Sequence, residues 1–226
     1  MLRNAQILRY DLAAFPFPVV LECTVFKVQP LAELHQHWRR VKAKRQGTDE
    51  LGYADNLALR KLMQDLPDDA PLYRLYHRFV RNVVGPVFGG RISYSSRPKM
   101  RIHLAGTASV SSWHRDVDVT HRPDQINVFL PFTPCFGGNA LWCESGYGAR
   151  DYCPIELMPG EAYLFDGGYL AHGTVANETE VTRCSLDFRF AVTRAGGVAA
   201  PWSRILSGRP ASLGGDPLAR ADAGGG

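Results

Sequence analysis

At 226 residues the chain has the length of one large domain, and 45% hydrophobic residues supply a core for it. A net charge of +4, with no basic stripe interleaved with aromatics, falls far short of a nucleic-acid footprint. No stretch approaches the ~18 apolar residues of a membrane span, and Asp11, Pro16 and Pro18 stand where a secretory signal would need an apolar run. The five cysteines (Cys23, Cys135, Cys143, Cys153, Cys184) are odd in number and lack a Cys-x-x-Cys pair. They suit reduced, packed thiols better than a disulfide framework or a zinc ribbon. The expectation is a cytoplasmic protein whose partner is a small molecule, with no nucleic acid and no membrane.

In chain order, residues 19–28 read as a strand and residues 31–45 as a helix entered after Pro30. That helix carries His35 and His37, but ligands two apart on a helix diverge, unlike the i,i+4 pairs of helical zinc motifs. It ends in the basic run Arg39-Arg40-Val41-Lys42-Ala43-Lys44-Arg45. This is either a solvated face that favours a helix C-terminus or a docking patch for an acidic partner. Two more helices are expected over 54–64 and 72–84. In the second, Leu72, Leu75, Tyr76 and Phe79 recur at helical spacing as a core stripe, and Gly85-Pro86 ends it.

From residue 91 the texture changes to short strands separated by Gly, Pro, Asn and Asp. They are expected at about 91–96, 99–105, 109–115, 125–132, 139–144, 161–166, 169–175 and 181–193. So many strands in about a hundred residues indicate a sandwich or barrel. In the last of them the polar Arg183, Ser185, Asp187 and Arg189 share one face, while Cys184, Leu186, Phe188 and Phe190 share the other. The first set makes a polar wall of the sheet and the second an apolar one. Residues 1–206 form a single domain on this reading, helical over about 1–88 and β over about 89–195. The Gly-rich segment 207–226 is expected to be a disordered tail.

One stretch carries chemistry. In Ser112-Trp113-His114-Arg115-Asp116 a His and an acid stand two positions apart, so on an extended strand they point to the same side. A second His from a neighbouring strand, His172 in Ala171-His172-Gly173, would complete two imidazoles and one carboxylate on one face of a metal. With open coordination positions left over, that is the ligand pattern of non-haem Fe(II) oxygenases. Asp118 is the rival carboxylate. Eleven residues after His172, Arg183 offers a guanidinium two positions from Ser185, an arrangement suited to forking onto a carboxylate.

The motifs Trp113-His114-Arg115-Asp116, Gln125-Ile126-Asn127-Val128-Phe129-Leu130-Pro131, Gly138-Asn139-Ala140-Leu141-Trp142, Pro159-Gly160-Glu161-Ala162-Tyr163-Leu164-Phe165-Asp166-Gly167, His172-Gly173, Asn177 and Thr182-Arg183-Cys184-Ser185 occur in this order. In this the stretch from Arg101 to Arg189 resembles the Fe(II)/2-oxoglutarate-dependent dioxygenases of the phytanoyl-CoA dioxygenase-like superfamily, and within it the StrG-like proteins of streptomycin biosynthesis. After Trp142 the chain departs from the wider superfamily, with Cys143-Glu144-Ser145-Gly146 in place of the usual Pro-Gly-Ser-His. The resemblance implies a mainly β protein with N-terminal helices, its core a double-stranded β-helix (jelly roll) with the helices packed on the major sheet. It also implies Fe(II) on His114, Asp116 and His172, 2-oxoglutarate as cosubstrate anchored by Arg183 and Ser185, and O2 as oxidant. Succinate and CO2 are released, and a C–H bond of a small molecule is oxidised, most simply to an alcohol, in natural-product biosynthesis.

Around that set the alternatives stay open. Arg183 either binds the cosubstrate or pairs with Asp187, in which case Arg189 takes its place. Asn127 contacts 2-oxoglutarate, orients a ligand or is a structural amide. Arg101 and His103 line the cavity or sit in core and rim; Trp113 and Trp142 shape the pocket or pack; His121 and Arg122 lie on a loop at the mouth. A jelly-roll binding protein without catalysis and a metal-dependent hydrolase on the same three ligands are the rival classes.

Overall fold

A computed structural model describes residues 4–89, 92–192 and 205–210. Its helical half precedes its β half, as the change of texture near residue 91 implies. The first strand, β1 (Ala5–Arg9), is followed by α1 (Phe17–Val20), which runs directly into a π-helical turn, Leu21–Phe26. Residues 19–26 are therefore helical rather than a strand, and the turn ends at Lys27 in a left-handed conformation. Pro18 lies in the first turn, where its missing N–H costs nothing, and Phe17, Leu21 and Phe26 are buried. A 3-10 turn, Leu31–Glu33, leads into α2 (Leu34–Gln46), which stops where Gly47 adopts φ 70°. Then come α3 (Tyr53–Gln64) and α4 (Pro71–Phe79), the latter continued by a π-helical turn, Val80–Val84, and the short α5 (Gly85–Val87). In α4 the expected stripe of Leu72, Leu75, Tyr76 and Phe79 is buried.

The β half contains β2 (Ile92–Tyr94), β3 (Lys99–His103), α6 (Asp116–Thr120), β4 (Gln125–Pro131), β5 (Leu141–Cys143), β6 (Cys153–Ile155), β7 (Glu161–Phe165), β8 (His172–Gly173) and β9 (Arg183–Val192). All pairings are antiparallel. The larger sheet runs β1-β7-β4-β9-β2, with β3 also paired to β9, and the smaller one β6-β5-β8. Within the expected strand 109–115 only His114 pairs, through a bridge to His172.

The alternation in β9 sets the layers. Its register puts Cys184 opposite Ile102, Leu186 opposite Met100 and Leu130, and Phe188 opposite Val128. These residues form one cluster with Leu72, Tyr73, Tyr76 and Phe79 of α4 and Phe17 of α1, so the helices cover the outer face of the larger sheet. Each large side chain fully buried there contributes about 1.5–3 kcal/mol. A second cluster (Phe129, Tyr163, Phe165, Leu141, Cys143, Ile155 and Leu170 among others) fills the space between the two sheets on the β4/β7 side. Arg183, Ser185, Asp187 and Arg189 face the same interior on the β9 side.

The five cysteines are unpaired. No helix among the described residues is long and apolar enough to cross a membrane. Within the basic run, Lys42 turns inward to Asp55 at 2.9 Å, and Arg39, Arg40, Lys44 and Arg45 are exposed.

Residues 207–210 belong to the segment expected to be disordered, yet they are held in place. Asn4 donates to the carbonyls of Ile205 and Ser207, and Arg209 forks onto Asp166 (Nη2–Oδ1 2.6 Å). The rest of the expected tail, 211–226, lies outside the described residues. Asp166 is fully buried, so Arg209 supplies the charge that makes its burial tolerable. Arg209→Met is expected to cost about 3–5 kcal/mol of stability, read as a lower urea midpoint. Adding Asp166→Asn should restore much of that loss, and an unshifted midpoint in the single variant would refute the pairing.

Candidate metal centre

His114, Asp116 and His172 meet. One ligand atom from each lies within 4.8 Å of the other two, and among the described residues this is the one such group of three. The route to convergence is not the expected one. Asp116 is the first residue of α6, not a position on an extended strand, so the period-two argument does not bring it beside His114. Backbone pairing between two loops does. His114 and His172 exchange N–H···O=C bonds at 3.0 Å each way, and the Asp116 N–H donates to the Gly167 carbonyl at 2.9 Å. Thr174, two residues beyond His172, ties down the approach by accepting from the N–H groups of Val110 and Ser111. Asp118 points elsewhere, pairing with Arg115 at 2.9 Å.

The electronic state of the cluster suits a cation. His114 Nδ1 lies 2.7 Å from the Ser112 carbonyl and His172 Nδ1 2.9 Å from that of Leu170. A carbonyl only accepts, so each Nδ1 carries a proton and Nε2 is the nitrogen left to ligate in the neutral ring. Burial pushes the His172 pKa down to about 4, helped by the neighbouring His114, which keeps it neutral near pH 7. Hydrogen bonding to Asp116 outweighs burial at His114 and raises its pKa. At Asp116, burial by itself would raise the pKa. His114, His172, Arg189 and Asn127 together outweigh burial and hold the carboxyl well below the carboxylate range.

Two residues brace that carboxylate. Asn127 Nδ2 donates to Oδ2 at 2.5 Å, and Arg189 forks onto both oxygens, with Nε at 2.6 Å from Oδ2. Of the contacts expected of Asn127, the structure shows the one to Asp116. Its amide nitrogen is committed to Asp116, and a side chain at Gly167 would collide with it. Arg189 is likewise engaged, which removes it as a substitute for Arg183.

Arg183 is 2% exposed. Its Nη1 donates to the Asn139 carbonyl at 3.0 Å and its guanidinium lies 5.7 Å from the Phe129 ring. Asp187 pairs with Arg101 instead, at 2.6 Å, so among the described residues Arg183 has no carboxylate partner. Burial lowers its pKa to about 10, still high enough to stay charged at neutral pH. Arg183 Nε and Ser185 Oγ are buried without hydrogen-bond partners among the described residues. A buried guanidinium with an unmet donor, on the same face as an unmet hydroxyl, has the chemistry to receive a carboxylate.

The remaining candidates divide. His103 is fully buried on the inner face opposite Arg183, with Nε2 donating to the Ala108 carbonyl at 3.0 Å. Trp113 packs on Tyr152, and Trp142 donates to the Gly137 carbonyl, so both are packing residues. Arg122 pairs with Asp124, and His121 caps α6 in a left-handed conformation. His35 bonds Thr182, outside any metal cluster. Glu144, within the departure after Trp142 and given no role there, has a buried carboxylate that accepts from the Ala171 N–H at 2.9 Å and so fixes the strand that presents His172. The signal was available: an acid stands where the superfamily has a small residue.

Burial, with Arg183 nearby, pushes His103 down to about pH 3. The unfolded chain therefore takes up a proton near pH 6.5 that the folded chain refuses. Stability is complete above that value and is lost as pH falls toward 3, at about 1.4 kcal/mol per unit for this group. His172 adds to the same trend. Thermal midpoints of the metal-free protein should fall from pH 7 to pH 4, and less steeply in His103→Gln. Equal slopes would assign the acid sensitivity elsewhere.

An antiparallel two-layer β protein with a helical cover and a two-His, one-carboxylate cluster, its Asp116 and His172 buried and His114 half-buried, is a known architecture. The nickel complex of the non-haem monooxygenase ThoJ shares the fold with a TM-score of 0.53 over 84% of this chain and 74% of that one, at 15% identity. ThoJ without metal gives a TM-score of 0.53 at 14% identity, over 84% and 75%. No protein-family model matches the chain. In sequence it is 36% identical over 150 residues to the streptomycin biosynthesis protein StrG of Streptomyces griseus, which takes in 62% of this chain and 69% of that protein. The chain belongs to the StrG family.

Proposed function

We propose that the protein is a non-haem Fe(II)/2-oxoglutarate-dependent oxygenase acting on a small molecule in specialised-metabolite biosynthesis. The observation that carries this reading is the pairing of a two-His, one-carboxylate cluster with a buried arginine that lacks an acidic partner. On this reading the two facing sheets are a double-stranded β-helix within one domain spanning 1–206. Iron would be held by His114, Asp116 and His172, and 2-oxoglutarate by the iron at one end and by Arg183 and Ser185 at the other. A metal held there would supply dioxygen activation. The balanced reaction takes substrate C–H, 2-oxoglutarate and O2 to C–OH, succinate and CO2.

The chain's own residues contribute placement. Asn127 and Arg189 fix the orientation of the Asp116 carboxylate, whose Oδ1 lies 3.5 Å from His114 Nε2, on the side where a metal would be held. The Nδ1 contacts of both imidazoles fix which nitrogen ligates. Phe129, Tyr163 and Phe165 line the opposite part of the interior and keep water from the reacting centre.

The test is anaerobic reconstitution with Fe(II) and 2-oxoglutarate, looking for the weak visible charge-transfer band, and then admission of air. Succinate formation, slow without substrate and faster with it, is the expected outcome. A protein that binds metal but neither binds nor consumes 2-oxoglutarate would point to a hydrolase. One that binds neither would point to a binding protein.

A further inference from the structure

The wall formed by β3 and β9 carries more positive charge than the proposed metal and cosubstrate absorb. Register places Lys99, Arg101, Arg183, Asp187 and Arg189 on its inner face. Arg189 is spent on Asp116, Arg101 on Asp187, and Arg183 is reserved for the distal carboxylate of 2-oxoglutarate. Lys99 is left over. It stands directly opposite Asp187, but that carboxylate is already forked by Arg101, and among the described residues Lys99 has neither an ion-pair nor a hydrogen-bond partner.

Four cations thus face two carboxylates, Asp187 and Asp116. Adding a divalent metal and a dianionic cosubstrate does not change the difference, because those charges cancel. The position of Lys99 suits contact with an incoming molecule: it is exposed at the rim, and β3 runs from it through half-buried Arg101 to buried His103. Burial, and then repulsion from Arg189, lower its pKa, whereas Asp187 acts the other way. The ammonium therefore sits where an anion would relieve it. Tyr53, half exposed at the start of α3, is close enough to Arg101 to act on its charge and offers a ring beside the same spot.

We propose that Lys99 forms the recognition end of the substrate site, beside the Arg101–Asp187 pair, and that the substrate carries an oxyanion that seats there while its reacting carbon lies at the metal cluster. Phosphate fits better than carboxylate, because the unmatched charge is more than one and lysine acts as a point charge toward phosphate. This inference rests on the oxygenase reading for the reaction, although not for the anion site itself.

The experiment is calorimetric titration of inorganic phosphate, and separately of acetate, into Ni(II)-loaded protein saturated with 2-oxoglutarate. Saturable phosphate binding is expected, tighter than acetate and weakened about tenfold or more in Lys99→Gln, with 2-oxoglutarate affinity unchanged in that variant. Acetate binding more tightly than phosphate would overturn the phosphate assignment. Phosphate binding indifferent to Lys99, or no binding, would overturn the proposal. So would competition between phosphate and 2-oxoglutarate, or a Lys99→Gln variant that weakens 2-oxoglutarate, because either result gives Lys99 to the cosubstrate. If the protein fails to bind 2-oxoglutarate but still binds phosphate through Lys99, the oxygenase reading falls and the anion site stands.

Discussion

Replacing Arg183 with methionine is expected to weaken 2-oxoglutarate binding by about 2–5 kcal/mol, roughly thirty- to several-thousandfold, the usual cost of truncating one partner of a buried charge pair. Metal affinity in the absence of cosubstrate should change little. The same substitution should leave the unliganded protein as stable or more stable. Arg183 is 2% exposed, has no acidic partner among the described residues and has no hydrogen-bond partner for its Nε there, so its charge is uncompensated by the protein. Methionine has a similar reach and no charge to desolvate. Stability that rises while cosubstrate affinity collapses would mark a residue retained for binding at the expense of the fold. Urea titrations with and without 2-oxoglutarate measure both effects. Unchanged cosubstrate affinity would remove Arg183 from the site, and because Arg189 is committed to Asp116 no second arginine on β9 stands ready to replace it.

The second large effect is expected at the metal. His172→Ala should lower affinity for Fe(II), or for Ni(II) as a redox-silent probe, by more than about a hundredfold, beyond the 10–100-fold typical of losing an outer partner. Asn127→Ala supplies that comparison, because it deletes a hydrogen bond to Asp116 and no ligand. It is expected to fall within the 10–100-fold range. His172 is buried and its strand is pinned through Glu144, so metal stoichiometry should be read beside a thermal midpoint to separate lost ligation from lost structure. A folded His172→Ala protein that keeps one tightly bound metal would exclude the cluster as the metal site.

Local patterns in the chain were legible where a single element decides them. Period-two alternation in β9 already separated Arg183, Ser185, Asp187 and Arg189 from Cys184, Leu186, Phe188 and Phe190, because adjacent side chains on any strand must face opposite ways. The stripe in α4 followed in the same way from helical spacing. Residues 19–28 misled because Val19, Val20, Val25 and Val28 suggest a strand. Burial of Phe17, Leu21 and Phe26 overrode that propensity, and Pro18 one position inside the helix was the overlooked signal. No local pattern could have found β1, whose partner β7 lies about 150 residues away and whose own burial alternates weakly.

The same division runs through the site. The identity of the His, Asp and Arg residues, their order and the polar face of β9 are properties of the chain itself, because composition and periodicity need no neighbour. Convergence is not. Asp116 reaches His114 from the first turn of a helix because the Gly167 and His172 loops hydrogen-bond to its segment, and Arg189 finds Asp116 rather than a cosubstrate across 73 positions of sequence. Which arginine is spoken for, which carboxylate is braced and which lysine is left without a counterion depend on distances between strands remote in sequence, and only the packed sheets set those distances.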